Sequence, residues 1–323
     1  MIGYDAGGWG HGGRLARGGD LVARVAVSVD GQRLDLTNLG KVLYPAAEFT
    51  KRDVIDYYRQ VAPHMLLHLA DRAATLRRFP DGVDAASFYE KNVARHAPRW
   101  VRTARLGSMR HEGSDPNDYP IVADLPTLVW VANLAALEIH VPQWTVTSGN
   151  GRSTPDRLVF DLDPGPPATV VECCRVAERL REILHDDGLD AFAKSSGSKG
   201  MQVYSAVRTE RAEDTSTYAK AVARQLARES PGEVTATMTK SLRTGKVFID
   251  WSQNNPAKTT VAPYSLRARE QPTVSTPVTW DEVEACAAPA DLTFTAADVL
   301  TRIDDHGDLF AGLLAGGVAL PQM

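Results

Sequence analysis

RLVFDLDPG, residues 157–165, is a short apolar strand that ends in two acids and is stopped by Pro164 and Gly165. Side chains at i and i+2 of a strand share a face, so Asp161 and Asp163 are presented side by side. An apolar strand gains nothing by crowding two anions there, because like charges repel and desolvation adds to the cost. A divalent cation removes both penalties, and oxygen-only ligands suit Mg²⁺ or Mn²⁺. The same pattern also serves as an ordinary solvated strand end.

Working outward toward the C-terminus, Val170, Cys174, Ala177, Leu180 and Leu184 keep helical spacing up to Gly188, which places Cys174 in a core. Strands are predicted at 191–195 and 201–207, then a helix over 214–229 with Tyr218, Val222 and Leu226 inward. KVFIDW, residues 246–251, reads as another buried strand, ending at Asp250. The last fifty or so residues hold further helices and an Ala/Gly-rich end. Toward the N-terminus, GNGRSTPD (149–156) and GSMRHEGSDPND (107–118) read as loops, and 125–139 carries an apolar helical pattern. Thr50 looks like an N-cap, with Asp53 in the first turn of a helix that buries Val54, Tyr57, Tyr58, Val61 and Met65 and runs to about Leu69. VAVSVDGQRLDL signals a hairpin about Asp30 and Gly31. Residues 1–24 are Gly-rich and read as a flexible arm. Mixed elements with hairpins favour an α+β (mixed α/β) fold over a doubly wound sheet, with one domain over 25–315 and a tail over 316–323.

At 323 residues the chain is long enough to bury a sizeable core, and 43% hydrophobic with 24% charged residues excludes disorder as a whole. No apolar run approaches the ~20 residues of a membrane span. The first twenty residues lack an apolar signal-peptide stretch, so export is not expected. Cys173, Cys174 and Cys286 form no CxxC pair, which points to a reducing cytosol and no structural zinc. The net charge of −4 is unevenly spread: 271–323 carries −7, while 51–110 carries +6 and 236–270 carries +4. Such basic surface can bind phosphates, or can simply be solvated.

Asp250 closes an apolar strand of the same kind as 157–163. Two such strands side by side would gather three carboxylates, the arrangement of a two-metal phosphoryl-transfer site, whereas a lone Asp beside Trp251 would be plain surface. SSGSKG, residues 195–200, has small residues that let backbone amides approach phosphate oxygens, and Lys199 adds a charge. It lacks the Walker A spacing and would equally make a hairpin turn. His140, in EIHVPQW, is either a satisfied core histidine or a ligand. Lys258 and Arg267 follow the Asp250 strand and could offset a triphosphate or face solvent.

Taken together, LTNLGKVLYP, EIHVPQW, RLVFDLDPG, SSGSKG, MTKSLRTGKVFIDWSQN, KTTVAPYSLR and VLTRI resemble, in order over residues 34–310, the polymerase domain of bacterial end-joining DNA ligases, in the archaeo-eukaryotic primase (Prim-Pol) superfamily. The resemblance implies a primase-like catalytic core with an RRM-like antiparallel sheet and an N-terminal α/β subdomain. It implies that Asp161, Asp163 and Asp250 are the catalytic carboxylates and hold two Mn²⁺ or Mg²⁺ ions. Ser196, Ser198 and Lys199 would hold the triphosphate, with His140, Gln253, Arg267 and Arg77 assisting. Asn38, Lys41 and Lys51 would form a pocket for a downstream 5′-phosphate, provided that the YPAAEF turn folds back. Phe88 and Tyr89 would stack on template bases, although adjacent aromatics can also split between two faces. Lys240 and Arg243 would touch the primer-template or a second DNA end.

The implied activity is template-directed nucleotide addition, with a preference for ribonucleotides, at gaps bearing a 5′-phosphate. The implied setting is cytoplasmic and nucleoid-associated, in DNA repair, with DNA and NTP or dNTP as substrates and a separately encoded ATP-dependent ligase and Ku as partners. No ligase or nuclease module follows, so a stand-alone polymerase is expected. Residues 1–24 and the 107–118 loop depart from the family pattern. The competing readings are a metal-dependent phosphohydrolase or nuclease, and a non-catalytic end-binding module that recruits a ligase.

Overall fold

The structure is a computed structural model that describes residues 24–109 and 115–321. All of the expected arm but Arg24, part of the 107–118 loop and the last two residues lie outside it. The chain opens on the expected hairpin, β1 (Arg24–Val29) against β2 (Gln32–Thr37). Asp30 and Gly31 both take positive φ, 46° and 79°, as a tight turn matching the strand twist requires. A shorter hairpin follows, β3 (Val42–Tyr44) with β4 (Phe49–Thr50). α1 (Lys51–Leu69) begins at a capping box in which Thr50 and Asp53 satisfy each other's backbone amides, and it buries the five expected apolar positions. Two antiparallel pairs come next, β5 (Thr75–Arg78) with β6 (Phe88–Glu90), and β7 (Thr103–Leu106) with β8 (Asn117–Pro120).

The helix expected over 125–139 is shorter than its pattern. α2 (Leu125–Asn133) stops, Ala135 takes a left-handed φ of 57°, and β9 (Ala136–Val141) is a strand. The segment is apolar on every side, so periodicity alone does not separate a buried helix from a buried strand. Strand wins because β9 is flanked on both edges, by β5 and by residues 260–261.

The second half runs β10 (Arg157–Pro164), α3 (Val170–Asp186), β11 (Phe192–Ser195), β12 (Met201–Arg208), α4 (Asp214–Glu229), β13 (Val234–Thr235) and β14 (Val247–Asp250). The sheet order β14-β10-β12-β11 is the split β-α-β-β-α-β arrangement of RRM-like sheets. β13 extends it in parallel beyond β14. β15 (Thr260–Val261) joins the other sheet, ordered β15-β9-β5-β6, and β16 (Pro277–Val278) borders β11. α5 (Trp280–Ala285), α6 (Ala296–His306) and β17 (Val318–Ala319) complete the chain, β17 pairing with the end of β12.

One core gathers around α1, α2 and β9, and a second lies between the β10 sheet and helices α3 and α4. Leu158, Phe160 and Leu162 on β10, with Val247 and Ile249 on β14, point into that second core. Strand alternation therefore turns Asp161, Asp163 and Asp250 to the opposite face, away from α3 and α4. Cys173, Cys174 and Cys286 are buried free thiols. No helix among the described residues is long and apolar enough to cross a membrane.

β14 pairs with β10 only from Asp161 onward. One turn later Asn254, itself buried, continues the ladder with its side chain: it accepts from the Val159 amide at 2.9 Å and donates to the Val159 carbonyl at 2.6 Å. Asn254→Ala leaves both backbone groups unpaired in a dry site, so urea denaturation should show a loss of about 2–4 kcal/mol.

Candidate active site

The open face of the β10 sheet forms the floor of a cleft of about 850 Å³. Register decides its chemistry: Asp161 lies directly opposite Asp250 on β14 and opposite Gln202 on β12. Burial pushes the Asp161 carboxyl up to about 7, reinforced by the charges of Asp163 and Asp250. Asp163 is raised by burial and by Asp250, against Arg243 and Arg267. Three acids thus crowd one face. Their oxygens are not gathered around a point: among the described residues no group of three carboxylate, histidine or cysteine side chains sits at metal-coordinating spacing. Asp250 instead accepts from the Ser252 amide and hydroxyl and from Gln253 at 2.9 Å, with Lys258 3.7 Å away. The all-oxygen donor set and the mutual repulsion fit a hard divalent cation, for which Asp250 would have to release Ser252 or Gln253.

The SSGSKG turn forms the adjacent wall. The Ser196 hydroxyl accepts from the amides of Ser198 and Gly200, both at 3.2 Å. Gly197 has a φ of +64°, and a Cβ there would lie 2.5 Å from the Val274 carbonyl oxygen. A Cβ on Gly200 would lie 2.0 Å from the Leu162 oxygen. Both glycines are therefore dictated by how closely the turn packs. Ser198 and Lys199 line the cleft beside it, as do Gln253 and Arg267. Arg267 donates to the Ser196 carbonyl at 2.5 Å.

The sequence reading missed the residue that ties this wall to the other sheet. Glu138 on β9 is 1% exposed. Its carboxylate accepts from the Ala268 amide at 3.1 Å, pairs with Arg267 and Arg77, and meets His140 Nε2 at 3.0 Å. Burial alone would raise its pKa, but His140, Arg267 and the Ala268 amide together hold it well below the carboxylate range. His140 is itself pushed down by burial, with Arg267 and Arg77 opposing the pull of Glu138. The available signal was an acid inside the apolar run LEIHV, which burial tolerates only with partners.

A chain of donors aims Asp161. Gln143 donates to the Thr260 hydroxyl at 2.7 Å, and Tyr204 donates to Gln202 Oε1 at 3.0 Å. The Thr260 hydroxyl, 2.9 Å from the Tyr204 oxygen, is therefore the donor between them. Gln202 Nε2 is left facing Asp161 Oδ1 at 2.9 Å. Lys194, fully buried, donates to Ser275 at 2.5 Å; burial and Arg267 depress its pKa while Asp161 pulls it up. None of these residues stood out in the sequence.

The aromatic pair sits on the edge strand β6. Phe88 and Tyr89 are 45% and 60% exposed, each propped by an arginine: Arg78 over Phe88 at 5.2 Å and Arg77 over Tyr89 at 5.6 Å. Only Tyr89 faces the cleft, 5.8 Å from the His140 ring. Arg243 lies over Phe248 at 3.7 Å, and Lys240 is exposed on the same loop.

Asn38, Lys41 and Lys51 come together apart from the cleft because the YPAAEF turn does fold back through the β3–β4 hairpin. The Lys51 amide donates to the Lys41 carbonyl, and Asn38, with a φ of 54°, accepts the Lys41 amide. Lys51 is 6% exposed, its ammonium donates to the Thr37 hydroxyl at 3.2 Å, and it is lowered to about 8 by burial, then by Lys41 and Arg78. Lys41 holds the exposed Asp81 at 2.6 Å. Among the described residues no carboxylate pairs with Lys51, and a charge buried without a counter-ion is costly.

Residues 50–310 match the family model described as the LigD primase-polymerase domain. The chain is similar, at 46% identity over 87% of its length, to the multifunctional non-homologous end joining protein LigD of Mycolicibacterium smegmatis. It is 32% identical, over 85% of its length, to the bifunctional LigD of Bacillus subtilis. It spans only 36% and 43% of these two relatives. The polymerase domain of Mycobacterium tuberculosis Ligase D, solved in complex with DNA, superimposes with a TM-score of 0.83 at 46% identity, covering 88% of this chain and 99% of that one.

Glu138→Gln removes the carboxylate that pairs with Arg77, His140 and Arg267. Breaking a buried pair from one side costs about 3–5 kcal/mol, so urea denaturation at pH 7 should show a loss near the lower figure. The Glu138 pKa is depressed by folding, so its contribution is complete above about 4.3 and fades as pH falls. At pH 3.5 the gap to wild type should narrow by about 1 kcal/mol.

Proposed function

The chain belongs to the LigD primase-polymerase family, and from that premise we propose that it is a nucleotidyltransferase that extends a primer 3′-hydroxyl on a DNA template. The observation that carries this is a single cleft holding a crowded acidic floor beside a cationic, amide-rich turn. A nuclease needs the first and has little use for the second. A nucleoside triphosphate needs both.

Asp161, Asp163 and Asp250 would hold Mn²⁺ or Mg²⁺. When bound, such ions would make the 3′-hydroxyl a better nucleophile and offset charge on the phosphates. Gln202 fixes the rotamer of Asp161, and Gln253 and Lys258 steady Asp250. Ser196, Ser198 and Lys199 receive the phosphate chain, while Arg267, oriented by Glu138, adds positive charge where pyrophosphate develops. His140, on the same carboxylate, and Arg77 complete that wall. Tyr89 and Phe88 offer stacking faces for template bases. Lys240 and Arg243 meet the primer side.

Asn38, Lys41 and Lys51 receive the 5′-phosphate at the far edge of a gap, fixing position without reading sequence. Asp81 is then the counter-ion that the phosphate displaces from Lys41. The relatives are named for non-homologous end joining, which supports a DNA-repair setting here; within it the proposal takes a DNA ligase and Ku as partners and ribonucleotides as preferred substrates.

Extension across a one-nucleotide gap, with and without a 5′-phosphate and with ribo- or deoxyribonucleotides, tests the whole reading. Labelled primer should lengthen, faster when the phosphate is present. Asp161→Ala should lower addition by more than about 100-fold at unchanged thermal stability. Lys41→Ala with Lys51→Ala should erase the phosphate preference, at about tenfold affinity per lysine, while sparing simple primer extension. Shortening of the primer, or full activity in Asp161→Ala, would refute the proposal.

A further inference from the structure

Behind the Lys240–Arg243 loop lies a second groove that the reaction does not use. Its volume is about 620 Å³. One wall is α4, where Lys220, Arg224 and Arg228 recur every four residues and so form a single stripe along the helix. Each step along the stripe rises about 6 Å. Lys246 faces them from the opposite wall, donating to the Pro231 carbonyl at 2.6 Å. No carboxylate lines the groove, and among the described residues none of these four cations has an acidic partner. The nearby acids Glu229 and Glu233 are turned to Arg179 on the far side.

The floor is apolar. Trp251 lies there under the Lys220 ammonium, 4.8 Å from its ring centre, and Met238 and Leu242 are 45% and 55% exposed. Four unpaired cations around exposed apolar surface are not what a plain solvated face looks like, since a solvated face mixes signs and hides its large side chains. The groove is also continuous with the reaction centre: Trp251 follows Asp250 in sequence, and the loop carrying Met238 and Leu242 also carries Arg243, whose charge reaches Asp163 on the open face. The 236–246 loop therefore wraps the β13 edge of the sheet, with catalytic acids on one side and the basic groove on the other.

We infer that this groove holds a single nucleic-acid strand leading away from the reaction centre, its phosphates on the α4 stripe and its sugars and bases against Met238, Leu242 and Trp251. This rests on the nucleotidyltransferase reading for which strand arrives there, namely the still unpaired upstream part of a 3′ single-stranded tail whose end lies at the reaction centre. A single strand suits the site better than a duplex, because the apolar floor can only meet bases that are not stacked inside a helix.

The test is fluorescence anisotropy with DNA duplexes bearing 3′ single-stranded tails of graded length. Wild type is compared with Arg224→Gln/Arg228→Gln, which changes two exposed side chains and should leave the thermal midpoint unmoved. Tails too short to round the loop should bind both proteins equally. Long tails should bind the variant about tenfold more weakly, and the slope of log affinity against log salt should fall by about 1.4, at ~0.7 per lost single-strand phosphate contact. Arg224→Lys/Arg228→Lys should restore both. Equal affinity and equal slope on long tails would overturn the inference. So would loss of binding to a poly-glutamate peptide alone with the DNA tails unaffected, which would assign the groove to an acidic protein. The readout is binding: a wild type that adds no nucleotide yet shows the tail-length effect would sink the polymerase reading and leave the groove standing.

Discussion

Mutual repulsion among Asp161, Asp163 and Asp250 is the constraint around which the molecule is arranged. Nothing in the folding of β10 and β14 requires acids at these positions, and burial makes them costly. The cost is visible in Asp161, whose carboxyl is raised to about 7. The surroundings answer the charge from several directions. Gln202, Ser252 and Gln253 donate hydrogen bonds, while Lys258, Arg243 and Arg267 supply positive charge at longer range. Crowded carboxylates of this kind fit a hard divalent cation, whose charge would relieve their repulsion.

Glu138 plays the complementary part. It is a buried carboxylate that meets Arg77, His140, Arg267 and the Ala268 amide, and it stands on the other sheet. Through Arg267 it reaches the Ser196 carbonyl, so the SSGSKG turn of one half is braced by a carboxylate of the other. The two sheets thus meet in charge as well as in packing. A buried ion pair adds little net stability, but removing one member leaves an uncompensated charge. The arrangement therefore fixes orientation more than it holds the fold together.

Much of this was legible in the sequence. The two acids of RLVFDLDPG, the Asp250 strand, the capped helix at Thr50 and the Asp30–Gly31 hairpin rest on local rules, and local rules held. The 125–139 segment was misread because an apolar run carries no period that separates helix from strand. Lys194 and Gln202 stayed silent for a different reason: their partners Ser275 and Asp161 lie 81 and 41 positions away, so neither has a local signature. Glu138 gave only the weak signal of an acid inside an apolar run, because its partner Arg267 is also distant in sequence. An RRM-like sheet was expected only through family resemblance, and its order β14-β10-β12-β11 came from the structure, since strand pairing is not written in any one strand.

Calorimetric titration of Mn²⁺ near pH 7, in buffers of differing ionisation enthalpy, tests the central claim most directly. If the acidic face is a cation site, binding is saturable and releases protons as the raised Asp161 carboxyl ionises. Affinity then weakens as pH falls below about 7, and both Asp163→Asn and Asp250→Asn lose at least about tenfold. Binding of unchanged strength and unchanged proton release in both variants would contradict it.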